Sequence, residues 1–355
     1  TRRSSVSRSR IETFGALGLA LVLAFLLRLW GLDYGIPHPT IRPDEERLVG
    51  RAQTIFATGN WHPGSFFYPS LPFYLDALAL HAYYRTGKLL GRYGEPRDFL
   101  FDIAVTRPGL HYRISRVVSA AAGVATILAA YALSLAAYRR PRGALLAAFS
   151  LAVCHLHVRD SHFATVDVLA TLFVTLSLVY ACRASEAPTA RNFVLAGIVA
   201  GLAISSKYNV ALVVIPIGVA ALYLGREALS RLALAAAASA AAFALTSPYV
   251  LLRFPGFRSD VSFLEDFLYR SGDLALWDHL KLTFPYGLGW PLYVASALGV
   301  ARSLVRRRAE DVVLLSFAVP FLVLISSVRI TFPRYVLPIV AILMVFAAYL
   351  AASLL

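Results

Sequence analysis

Sulfur is scarce in this sequence: two cysteines and one methionine occur in 355 residues. Cys154 and Cys182 both lie inside apolar runs, so neither a disulfide framework nor a cysteine metal site organises the chain. Charge is scarce as well. Asp, Glu, Lys and Arg make up 15% of residues, against about 25% in soluble domains. There is no low-complexity tract, no glycine-rich phosphate loop of the Walker type and no convincing internal repeat. These gaps exclude a disordered, fibrous or disulfide-built protein.

What is abundant is apolar. Hydrophobic residues make up 58% of the chain and the mean hydropathy is +0.65, too much for one water-soluble core. The composition is that of an all-α polytopic membrane protein. The 34 basic residues exceed the 20 acidic ones, for a net charge of +14. They collect mostly in turns between apolar runs, which assigns them to membrane orientation and anionic lipid, with no nucleic acid implied.

Apolar runs fall at Phe14–Leu32, Ile114–Tyr138, Gly143–Leu156, Val166–Cys182, Phe193–Ser206, Ala211–Leu224, Leu232–Val250, Gly287–Leu304, Val312–Val328 and Val336–Leu355. A span takes about 20 apolar residues, so the runs predict about ten transmembrane helices, two of them short. Leu71–Leu90 is interrupted by Asp76 and His81 and reads as an interfacial helix. The basic, then apolar N-terminal segment has no small-residue cleavage site before Trp30 and reads as an anchor. Because the chain begins at Thr1 and ends inside an apolar run, processing or a partial chain is expected.

With Arg2, Arg3, Arg8 and Arg10 placed in the cytoplasm, the turns Arg139–Arg142, Arg183–Arg191, Arg226–Arg231 and Arg302–Arg308 all land on that side. The opposite side receives a long first loop, residues 33–113, and a second, residues 251–286. A loop as long as the first is usually functional. Its aromatics, among them Trp61, Phe66, Phe67, Tyr68, Phe73 and Tyr74, suit the headgroup level. The whole of 1–355 reads as one membrane domain.

Ionisable groups beside apolar helices are costly and mark candidate functional sites. Arg42-Pro43-Asp44-Glu45-Glu46-Arg47 follows the first span. Asp44 reads either as the N-cap of an interfacial helix or as a general base at a membrane-surface cleft. A second cluster holds His157, Arg159, Asp160, His162 and Asp167 within one short turn. His157, Asp160 and His162 are weak candidates for a divalent metal because diagnostic ligand spacing is lacking. Otherwise no cofactor is called for. A third group is cationic. Lys207 precedes Tyr208, Arg329 and Arg334 bracket an outer turn ending at Tyr335, and Arg113 and Arg116 open the second span. Such cations read either as snorkelling anchors or as ligands of a phosphate or pyrophosphate at the headgroup level. Gly197-x-x-x-Gly201 fits close helix packing.

In this order the pieces resemble a GT-C glycosyltransferase of the protein O-mannosyltransferase and aminoarabinose transferase superfamily. The carriers are Arg28-Leu-Trp-Gly-Leu32, Arg42-Pro-Asp-Glu45, Thr58-Gly-Asn-Trp61 and Phe67-Tyr-Pro-Ser-Leu-Pro-Phe-Tyr74. They continue through Arg116-Val-Val-Ser119, Arg159 to Asp167, Gly201 to Tyr208, Ser247-Pro-Tyr249 and Pro333 to Pro338. The resemblance implies a lumen- or periplasm-facing site between the first outer loop and the bundle, in the cell (inner) membrane. It implies a polyprenyl-phosphate sugar donor and an acceptor hydroxyl on a glycan, lipid or protein. The family's catalytic acid matches Asp44, with Glu45 beside it, and the second outer acid matches Asp167. Lys207 and Tyr208, Arg334 and Tyr335, Arg116 and Tyr68 match positions facing lipid phosphate or sugar.

The aromatic–proline motif here reads Tyr68-Pro69-Ser70, without the lysine or second proline of many relatives. Larger relatives continue with more helices and often a soluble domain. The C-terminal part of the family fold is therefore expected to be missing, with acceptor recognition in a missing tail or a membrane partner. The competing readings are a transporter or flippase of a lipid-linked substrate, and a non-catalytic subunit of a membrane complex.

Overall fold

The computed structural model describes residues 2–38, 42–269, 275–328 and 332–354. Arg329, one of the expected outer cations, lies outside them. Among the described residues every regular element is helical. The first long helix is α1 (Arg2–Leu29). The outer loop that follows is itself folded into α2 (Pro43–Thr58), α3 (Leu71–Leu89) and α4 (Pro96–Phe101). The bundle continues with α5 (Leu110–Tyr138), α6 (Pro141–Val153), the short α7 (His155–Asp160), α8 (Val166–Glu186), α9 (Ala190–Ile204), α10 (Val214–Ala221) and α11 (Ala228–Thr246). Next come α12 (Pro248–Leu252), α13 (Phe254–Tyr269), α14 (Leu276–Asp278) and α15 (Phe284–Leu288), followed by α16 (Trp290–Arg306), α17 (Ala309–Ser326) and α18 (Leu337–Leu354).

Six helical stretches are long and apolar enough to cross a membrane: Glu12–Leu29, Leu110–Tyr138, Val166–Glu186, Leu224–Thr246, Ala309–Ser326 and Pro333–Leu354. The other four expected spans are shorter helices, in α6, α9, α10 with the tight turn before it, and α16. The chain is an integral membrane protein. Helix α18 is apolar all round and buried along most of its length, packed by α6, α8 and α16, which makes it the centre of the bundle. α8 sits between α5 and α9, and α9 against α11.

Glycine sets the α9–α11 contact. A side chain at Gly197 would meet the Ala235 carbonyl, and one at Gly201 the Ser239 carbonyl and the Ala242 methyl. The pair therefore lets two backbones touch, as small residues do where helices pack inside lipid. Gly201→Leu is expected to cost about 1–3 kcal/mol through overpacking, read as a lowered unfolding midpoint in detergent.

The first outer loop is a small domain with its own core. Leu48, Ile55 and Phe56 of α2 meet Phe73, Ala77, Leu80 and Tyr84 of α3 and Phe99 of α4. The Phe56 ring lies 5.1 Å from Phe99 and 5.6 Å from Tyr84, edge on. A polar clasp closes it. Asp102 accepts from the Arg107 guanidinium at 2.9 Å and from the Tyr93 hydroxyl at 2.6 Å. Arg107 is the main reason the Asp102 carboxyl is held down to about 2. A depressed folded-state pKa contributes stability above the ordinary value of 3.8, and that stability is lost as pH falls through about 2. Asp102→Asn is expected to flatten the pH dependence of thermal stability across that window and to leave a constant deficit above it.

Candidate active site

The chain folds so that one end of the bundle collects the acidic and basic groups expected to act. Pro43 occupies the first position of α2, where its fixed φ and missing N–H are tolerated. Arg42, not Asp44, is the N-cap. Asp44, Glu45 and Glu46 fill the first turn of α2, where the helix dipole favours carboxylates. Neighbours one position apart on a helix point in different directions, and here the two acids part company.

Asp44 faces the mouth of the bundle and is paired with the Arg334 guanidinium. Arg334 lies in the tight turn that leads into α18, and its Nε also reaches Asp167 at 3.4 Å. Asp167 opens α8 and accepts from the Lys207 Nζ at 2.6 Å. Lys207 follows the end of α9 in an extended conformation, and its ammonium sits 4.5 Å from the centre of the Tyr335 ring. The result is a chain of alternating charge, Asp44–Arg334–Asp167–Lys207, built from four separate elements. Tyr68 lies beside it in the field of Asp44, Asp167, Arg334 and Tyr335. Burial, followed by the two carboxylates, raises its pKa, so the hydroxyl stays protonated and can donate.

Glu45 turns the other way. Its carboxylate takes both arms of the Arg116 guanidinium, each at 2.7 Å, and accepts from the Ala164 N–H at 2.9 Å. Arg116 also donates to the carbonyls of Leu32 and Tyr34. Glu45 is 1% and Arg116 3% exposed. The structure thus pairs a residue expected to be catalytic with one expected to bind phosphate, and the pair staples α2 to α5 and to the turn after α1.

The metal candidates are engaged elsewhere. Asp160 accepts from Arg42 at 2.8 Å and from Arg159 at 2.6 Å. His157 is fully buried, and burial with the adjacent Arg28 keeps its imidazole neutral. Its Nδ1 accepts from Arg28 at 2.8 Å. A ring nitrogen of His162 meets the Leu27 carbonyl at 3.0 Å. Among the described residues no three His, Cys, Asp or Glu side chains converge as a metal site would need. Arg28 also donates to the carbonyls of Ala24, Leu151 and Ala152, which ties α1 to the end of α6.

Tyr208 points away from the charged chain. Its ring meets Phe257 of α13 at 5.6 Å. That helix occupies nearly half of the stretch expected to be a second loop, and it covers the aromatic motif of the first. Phe66 packs on Phe257 at 6.2 Å, Phe67 on Phe263 at 5.9 Å, and the Phe66 N–H donates to Asp260 at 2.7 Å. Below the motif, the Ser70 N–H donates to the Ser247 hydroxyl at 3.0 Å and the Leu71 N–H to the Ser205 carbonyl at 3.3 Å. Tyr68 and Lys207 are thereby held at one mouth. Sequence reasoning missed the parts played by Asp260 and Phe163. The Phe163 ring lies 4.3 Å from the Arg42 guanidinium and 5.4 Å from that of Arg116, a contact with no local signal.

Residues 109–251 match the sequence profile of the dolichyl-phosphate-mannose-protein mannosyltransferase family. No curated protein sequence matches the chain. Solved structures share its fold. The ArnT of Cupriavidus metallidurans bound to undecaprenyl phosphate superposes with a TM-score of 0.66 at 18% identity, over 95% of this chain and 59% of that one. The oligosaccharyltransferase of Archaeoglobus fulgidus in its apo form gives 0.62 at 16% identity, over 96% and 50%. The protein O-mannosyltransferase Pmt1-Pmt2 complex of S. cerevisiae bound to the sugar donor gives 0.50 at 19%, over 69% and 34%. The chain has the GT-C fold and spans about three fifths of the length of the ArnT it matches.

Proposed function

We propose that the chain carries the transfer site of a membrane glycosyltransferase. It moves a sugar from a polyprenyl-phosphate donor to an acceptor hydroxyl, with inversion at the anomeric carbon. The observation that carries this reading is the chain Asp44–Arg334–Asp167–Lys207 at the mouth between the outer-loop domain and the bundle. The undecaprenyl phosphate bound to the similar ArnT supports a lipid-phosphate donor. The acceptor is a hydroxyl of a glycan, lipid or protein, recognised with the help of a membrane partner or further chain. The basic turns support a site on the periplasmic or exterior face of the cell (inner) membrane.

The residues divide the work. Asp44 takes the acceptor proton as the acceptor oxygen bonds to the anomeric carbon. The bond from that carbon to the phosphate oxygen breaks, and its electron pair leaves with the polyprenyl phosphate. Lys207 and Arg334 stabilise the charge that develops there. One base suffices for a direct displacement, unlike the paired carboxylates of retaining hydrolases. Arg334 adds an interlock. Its planar fork suits phosphate as well as carboxylate, so an arriving donor phosphate competes for it and releases Asp44 to act as base. Asp167 holds both cations in place, and the Tyr68 hydroxyl donates to donor or acceptor. Glu45 and Arg116 position the loop that carries Asp44. A divalent ion would have to take Asp160 from two guanidiniums and His157 from Arg28. Those residues do not fit an ion site, and no step is routed through one.

A transporter would gather polar groups and broken helices at mid-membrane. In the six stretches long and apolar enough to span, the charged side chains lie within the first or last eight residues, which weighs against it. The test is turnover in nanodiscs from a panel of radiolabelled polyprenyl-phosphate sugars. Wild type is expected to transfer at least one sugar. Lys207→Met is expected to lower kcat by about 10²–10³ through loss of charge stabilisation and to weaken donor binding. Donor binding without turnover, with every acceptor class supplied, would favour the structural-subunit reading. No binding to any donor would overturn the proposal.

A further inference from the structure

At the other end of α18, three arginines gather around one tyrosine. The guanidinium carbons of Arg306, Arg302 and Arg140 lie 4.3, 5.3 and 5.6 Å from the centre of the Tyr349 ring. Tyr138 packs beside it, the ring centres 4.0 Å apart and the planes tilted by 37°. Tyr349 and Tyr335 stand 14 positions apart along one helical stretch, so this cluster lies about 20 Å from the transfer site along the axis.

The charges do not balance. Asp311 is the carboxylate bonded here, and it is fully used: Arg306 grips it through Nε at 2.9 Å and through its second nitrogen at 2.6 Å, while the Tyr138 hydroxyl donates to it at 2.7 Å. Arg140 and Arg302 have only neutral acceptors in this cluster, the Ala352 carbonyl and the Ser353 hydroxyl. Among the described residues, two cations therefore share one ring without a carboxylate partner, beside a third whose charge is spent. Contact with an aromatic face offsets only part of that repulsion. The α6 N-terminus adds positive potential at the same place, since Arg140 is its N-cap and makes no side-chain cap.

We propose that Arg140 and Arg302, seated on Tyr349, bind the phosphate of an anionic lipid headgroup in the leaflet opposite the transfer site. Guanidinium forks match phosphate oxygens bidentately, and the start of α6 and the end of α16 set these two beside apolar helix surface. The site takes a phosphate monoester or diester, and the lipid is its source.

Thermal unfolding of the chain in nanodiscs tests this. Discs of phosphatidylcholine alone are compared with discs containing phosphatidylglycerol, and with phosphatidylcholine discs plus inorganic phosphate. Phosphatidylglycerol is expected to raise the wild-type midpoint by about 1–2 °C, the shift for a chain of this length with lipid at about five times its Kd. The Arg140→Gln/Arg302→Gln double variant should lose that shift. Arg191→Gln, a basic side chain at the start of α9, should keep it, which separates a site from general surface charge. If the double variant does not fold, Arg302→Lys is read instead: it keeps the charge, loses the fork and should show a smaller shift. Equal shifts in wild type and in the variant that is read overturn the proposal. A shift given by inorganic phosphate alone, and lost in the double variant, overturns the lipid as the source.

Discussion

Asp44→Asn is expected to abolish most sugar transfer while leaving donor binding in place. Asn keeps the shape of the carboxylate and one acceptor oxygen, so the start of α2 and the contact with Arg334 persist in outline. It cannot take a proton at neutral pH. General-base assistance supplies about 10²–10⁴ in rate, and the loss should fall on kcat. The interlock sharpens the expectation. In the wild type Arg334 is shared between Asp44 and Asp167. With a neutral side chain at position 44 it has one carboxylate fewer to hold it, so donor phosphate should bind as tightly as in the wild type or tighter. A variant that loses turnover and donor affinity together would point to Asp44 as a binding group. Unchanged turnover would remove it as the base. Glu45→Gln is the informative neighbour: its loss of activity should follow its loss of folded protein.

The largest effect on stability is expected at Arg116. Its partner Glu45 is buried with it. Removing one member of a buried ion pair leaves the other charge uncompensated, at a cost of about 3–5 kcal/mol. Arg116→Met should therefore unfold the outer-loop domain or detach it from α5. It would also release the carbonyls of Leu32 and Tyr34, which Arg116 holds. Limited proteolysis between α2 and α4, together with the unfolding midpoint, measures this. A paired Glu45→Met/Arg116→Met variant is expected to recover part of the loss, because two apolar groups of similar size leave no stranded charge. If the double variant is no better than Arg116→Met, the pair acts through its bonds to the Ala164 N–H and the two carbonyls more than through charge.

The outer-loop domain shows how far local pattern reaches. The spacing of Leu48, Ala52, Ile55 and Phe56 marks one helical face, and that face is the one α2 buries. The same spacing does not reveal that Asp44 and Glu45, adjacent in sequence, serve different ends. One side of the turn meets Arg116, 71 positions away, and the other meets Arg334, 290 positions away. The stretch 251–286 carries the complementary lesson. Its scattered Phe257 and Phe263 look like loop aromatics until α13 lays them over Phe66 and Phe67.

What the sequence determined by itself is the membrane-spanning, all-helical class and the end of the bundle at which each charge sits. Both follow from local physics: lipid rejects unsatisfied backbone and unpaired charge, so apolar runs become helices and ionisable groups are driven to their ends. The presence of Asp44, Asp167, Lys207 and Arg334 on one face was legible for the same reason. Only the tertiary structure decided which charges pair. Partner choice depends on the direction of each side chain and on distances of a few ångströms between helices far apart in the chain, and no period or composition encodes those. That is why Arg116 proved to be a staple and Arg334 the bridge between two carboxylates. It is also why the arginines around Tyr349, drawn from two turns read only as orientation signals, came together as one cluster.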